Sequence, residues 1–192
     1  MTSFHNRPLS ELASGANRIR NETVAGFGNL TAQQLNWKPG ADQWSVAQCY
    51  NHLVTANAAY LPIFERIFTE KKKNTFWESL PFLPTVWGKL VITAVSPETA
   101  RKRKNPQIFD PSSSIVADGI IRRFVDQQND ILRHMKASES IAVEKIIISS
   151  PVSNLITYSL LDAYRIIVAH ERRHLLQALR LLDMDGFPKD VR

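Results

Sequence analysis

Two histidines four residues apart, in the segment HERRH at His170–His174, are the first feature of this chain with the means to do chemistry. Positions i and i+4 share one face of a helix with β-carbons about 5–6 Å apart, so two imidazoles there can converge on one cation. A histidine on an apolar face is usually a satisfied core residue. Two of them without a partner, however, would each leave a ring nitrogen to satisfy. The segment also reads as H-E-x-x-H, the pattern with which metalloproteases hold zinc and a general base. That chemistry needs a third ligand downstream, and the extended form of the motif requires Gly and His where this chain has Gln177 and Arg180. It also lays its substrate along a sheet edge, and no sheet is predicted here.

His52 is the better third imidazole. It falls on the core side of an earlier helix, about two turns from its start, level with the middle of the last helix if the two pack in a bundle. Three histidines from two helices make an N₃ face with open positions for water or substrate. His5, in the leader, and His134, near a helix end, fit less well.

Other polar residues surround this triad. Glu171 is a candidate general base, but about 100° round the helix from His170 it points to the pocket edge, where pairing with a neighbouring Arg is the alternative. Gln177, one turn beyond His174, can orient a ligand or bound water, or pack on the next helix. Cys49 is expected to make a staple contact with Trp44 rather than act as a ligand. Trp37 and Trp44 read as core or pocket wall. Arg172 and Arg173 can steer an anionic thiol or acid, or form a solvated helix face.

The elements that must position these residues are helical. Five or so segments repeat their apolar residues every 3.6 positions, and almost nothing alternates with period two. The pattern predicts helices from about Leu9 to Leu30, from Ser45 towards Lys73, near Thr85 to Val95, from Ile115 to Met135 and from Leu155 to Leu182. Ser45 and Gln48 have capping-box spacing, as do Thr31 and Gln34. Pro62 predicts a kink or a break just before it. Asp110 and Ser112–Ser114 offer N-caps for the fourth helix. In the last helix Ile156, Leu160, Ala163, Ile167, His170, His174, Ala178 and Leu181 fall within about 40° of one line.

Composition narrows the class. A chain of 192 residues with 44% hydrophobic side chains supports one core and one domain, 1–192, with its core at about 9–183 and a loop-rich insertion at about 74–114. The single cysteine excludes an internal disulfide and any cysteine-based zinc cluster. No stretch approaches the roughly 18–20 apolar residues of a membrane span, so a soluble, cytoplasmic protein with no membrane partner is expected. The charge of +6 raises nucleic acid as a partner. Its basic runs, KKK at 71–73 and RKRK at 101–104, respectively close a helical stretch and lie in a connector, which favours solvated surface charge.

Two blocks, GADQWSVAQCYNHL at 40–53 and YSLLDAYRIIVAHERRHLLQALRLL at 158–182, together resemble the DinB/YfiT-like superfamily. The resemblance runs from about Phe27 to Leu182. It implies an all-α, up-down-down-up four-helix bundle in which His52, His170 and His174 bind a divalent metal, commonly zinc or nickel, with water at the open positions. It implies a small-molecule substrate, among members a low-molecular-weight thiol such as bacillithiol or mycothiol, and thiol-transferase, isomerase or hydrolase chemistry. It also implies a homodimer. The alternative function is a non-catalytic helical-bundle binding protein with a structural or vestigial metal site.

Overall fold

The computed structural model describes residues 6–69, 74–80, 82–97, 115–116 and 119–189. The expected caps Asp110 and Ser112–Ser114, the basic runs at 71–73 and 101–104, and His5 lie outside them. Seven α-helices are present among the described residues: α1 (Arg7–Phe27), α2 (Ala32–Asn36), α3 (Val46–Ala58), α4 (Leu61–Thr69), α5 (Leu83–Val95), α6 (Ile120–Ala137) and α7 (Leu160–Leu182). None of the described helices is long and apolar enough to cross a membrane.

Local chemistry sets the boundaries. Asn6 caps α1 by accepting from the Leu9 amide, with Pro8 in the first turn. Thr31–Gln34 and Ser45–Gln48 both form reciprocal capping boxes at the starts of α2 and α3. The expected interruption falls just before Pro62, dividing α3 from α4.

Four helical limbs form the bundle: α1, α3 continued by α4, α6, and α7. Gly15 faces Val168 and Gly26 faces Leu179, so α1 and α7 run parallel. Tyr50 meets Phe124 and Phe64 meets His134, so the α3–α4 limb and α6 run parallel. Trp44 meets His174 while Tyr60 meets Tyr158, so α3 runs against α7. The topology is up-down-down-up. The apolar core divides into two layers, one around Leu9, Phe64, Ile131 and Tyr164, the other around Phe27, Tyr50, Phe124 and Leu175. Asn57, Gln127, Gln128 and Glu171, all buried, occupy the sequence positions between the two layers on α3, α6 and α7.

Two predicted boundaries are corrected. The last helix starts at Leu160 and not at Leu155, because Ser153–Ser159 is a strand, β2, paired antiparallel with β1 (Ile147–Ser150). The β-branched and aromatic run Ile156-Thr157-Tyr158 suits a half-buried strand as well as a helix stripe, and pairing decides it. Ser159 then caps α7 by accepting from the Asp162 amide. A small two-stranded sheet therefore exists where none was expected. The fourth predicted helix starts at Ile120, after Gly119 in the left-handed region at φ 81°, and not at Ile115. Asn36 bonds both backbone groups of Val116, at 2.9 and 3.2 Å, and so ties the chain down before the helix begins.

Candidate metal centre

The Ser45 capping box fixes the start of α3, and His52 stands about two turns along it, facing α7. Here α7 presents His170 and His174. The three ring nitrogens converge: His52 Nε2 lies 3.0 Å from His170 Nε2, and His174 Nε2 lies 3.1 Å from it. One potential ligand atom from each residue lies within 4.8 Å of the others. His52 and His174 are buried, and His170 is half-buried. The sequence-derived triad is thus brought together by the two helices expected to supply it.

Electrostatics keep the two α7 rings neutral. Burial, followed by the neighbouring His174, His52 and the Arg173 charge, holds His170 well below the ordinary histidine range. Burial, His52 and Arg173 push His174 down to about 3, with Gln177 acting weakly the other way. Neutral imidazole is the ligand form. At metal–nitrogen distances of about 2.0–2.1 Å, the spacings of 3.0 and 3.1 Å from His170 are short enough for each of these two pairs to share an ion, which His52, His170 and His174 would hold. The donor set and its geometry fit a divalent transition metal.

Trp44 walls the site. Its ring lies 5.5 Å from that of His174, nearly parallel at 15°, and 5.1 Å from that of His52. Core or pocket wall was expected of it, and the ring packs on two of the three histidines. Cys49 is fully buried in the apolar layer with its thiol pushed up to about 12 by burial, and it is not part of the histidine group. His134 lies away from the site, against Phe64 and Phe68.

Glu171 departs from expectation. It does not sit at the pocket edge beside an arginine but is fully buried, accepting from Asn57 Nδ2 at 2.8 Å. A direction 100° from His170 still points into the core, where Asn57 of α3 and Gln128 of α6 meet the carboxylate. Burial pushes its carboxyl up to about 7, with Gln128 and Asn57 pulling it down. The arginine beside it, Arg172, pairs instead with Glu22 at 2.8 Å. Asn57 and Gln128 were missed in the sequence. The available signal was a polar residue standing in an apolar stripe, since Gln128 shares one face of α6 with Phe124 and Ile131.

The arrangement defines a class: a helical bundle with a three-histidine candidate metal centre between two antiparallel limbs. The chain belongs to the DinB superfamily, whose family model matches residues 16–178 and so includes all three histidines. No curated protein and no solved structure matches the chain.

Proposed function

We propose that this protein is a divalent-metal-dependent enzyme of the DinB superfamily, a thiol S-transferase or a hydrolase, acting on a small molecule in the cytoplasm. The observation that carries the reading is the convergence of three histidine ring nitrogens from two helices. Zinc or nickel held there would lower the pKa of a bound water to about 7, or that of a bound thiol correspondingly.

The chain's own residues divide the remaining work. His52, His170 and His174 would hold the ion, whose remaining positions would be left for the reacting group. Trp44 shields the faces of two of these rings from water. Gln177, whose side chain acts on His174, would orient a bound water or thiol. Glu171 braces α7 against α3 through Asn57 and supplies a buried carboxyl behind the centre. Homodimer formation is part of the same reading, taken from the family resemblance.

Equilibrium dialysis followed by elemental mass spectrometry tests the proposal. Wild-type protein is expected to retain about one equivalent of zinc or nickel, and His52→Ala, His170→Ala and His174→Ala each to lose at least about tenfold in affinity. Full retention by all three variants would contradict it. Loaded wild type should then conjugate a thiol to an electrophile or hydrolyse a small ester, with His174→Ala inactive in the same assay.

A further inference from the structure

Helix α7 carries four arginines, and their partners differ. Arg165 pairs with Asp162 and Arg172 with Glu22, each at 2.8 Å, while Arg180 is exposed. Arg173 is half-buried and pairs with no carboxylate among the described residues. Its one hydrogen bond there runs from Nη1 to the Ala94 carbonyl at 3.1 Å, in the last turn of α5. A guanidinium has five N–H donors in a rigid fork, and the Ala94 carbonyl takes one of them.

Its position is specific. Arg173 stands three residues after His170, on the same helix face, and immediately before His174. Its charge acts on both rings. Three neutral imidazoles do not offset a divalent ion, and the nearest acid in sequence, Glu171, is turned to Asn57. A loaded centre with Arg173 close by would therefore gather positive charge, with no carboxylate paired to Arg173 among the described residues. Charges so placed are stabilised when a ligand brings the opposite sign.

Resting on the enzyme reading above, we infer that Arg173 forms an anion subsite beside the metal centre, and that the substrate or co-substrate carries a carboxylate. The guanidinium fork takes the carboxylate while the reacting group of the same molecule meets the ion. Bidentate geometry favours a planar carboxylate over a lone hydroxyl. The bond to Ala94 sets the height of the fork by holding it to the end of α5.

Cobalt(II)-loaded protein provides a readout that does not depend on turnover. Titration with 3-mercaptopropionate and with 2-mercaptoethanol, followed by thiolate-to-cobalt charge-transfer absorption, compares two small thiols that differ in the carboxylate. Wild type is expected to bind the carboxylate thiol about tenfold more tightly or better, the scale of a charged hydrogen bond. Arg173→Gln should erase the preference with cobalt stoichiometry unchanged, and Arg173→Lys should keep part of it. Equal affinities in wild type would overturn the inference. So would a lower melting temperature in Arg173→Gln with the preference intact, because Arg173 would then only brace α5. Failure of the wild type to take up cobalt would refute the metal reading itself and the subsite with it.

Discussion

An imidazole pushed down to about 3, as His174 is, stays neutral across the physiological range and offers a lone pair throughout. That commits it to a cation or a donor, and its own Nδ1 is buried without a hydrogen-bond partner among the described residues. Trp44 reports on what happens there. Because its ring stacks on His174, addition of zinc to metal-free protein should change tryptophan emission, and Trp44→Phe should remove most of that change although three other tryptophans remain. An unaltered response in Trp44→Phe would place the binding event elsewhere. Glu171 gives a pH prediction with a definite sign. Its carboxyl rises from 4.5 to about 7 on burial, so the native state keeps a proton that the unfolded chain has already lost between those values. Stability from this group is complete below about 4.5, falls as pH rises, and is gone above about 7. In metal-free protein Glu171→Gln should flatten the decline in melting temperature between pH 5 and 8, since the carboxamide stays neutral and can still accept from Asn57. Identical slopes in the two proteins would contradict the assignment.

At the scale of elements, the capping box at Ser45 matters because His52 rides on the helix it starts. Ser45→Ala removes the bond that its hydroxyl accepts from the Gln48 amide at 3.1 Å and leaves the reciprocal bond that the Ser45 amide donates to Gln48 Oε1 at 3.0 Å. It should lower stability by about 1 kcal/mol in denaturant melts while metal stoichiometry is unchanged. A loss of metal in this variant would mean that α3 is held by its cap and not by its packing. Elements of this kind were readable because their signals are local: the i, i+4 histidines, the two capping boxes and the break at Pro62 all stand in a few residues of sequence. The strand at Ser153–Ser159 was not, because Ile156 and Leu160 fit a helix stripe equally well and only pairing with Ile147–Ser150 separates the two. Nor was the burial of Glu171, which depends on Asn57 and Gln128 arriving from other helices. The same holds for the late start of α6, which follows from Asn36, a residue 80 positions upstream in the case of its Val116 contact.

For the whole molecule, the histidine triad is a cross-link between limbs that run in opposite directions, His52 from α3 and the pair from α7. A ligand that binds the native state alone stabilises it by about 4 kcal/mol at a thousandfold excess over its dissociation constant. Zinc or nickel should therefore raise the melting temperature of wild type and a chelator should reverse the rise, with His52→Ala insensitive to both. The family match covers residues 16–178, so all three histidines lie within the matched span. The central claim is that these histidines together present an ion with open positions. X-ray absorption spectroscopy of the zinc- or nickel-loaded protein tests it most directly. Three imidazole nitrogens at about 2.0–2.1 Å, with the remaining ligands exchangeable oxygen that a small thiol replaces, is the predicted result. Fewer than three imidazoles, or a shell filled by protein groups that no thiol displaces, would contradict it.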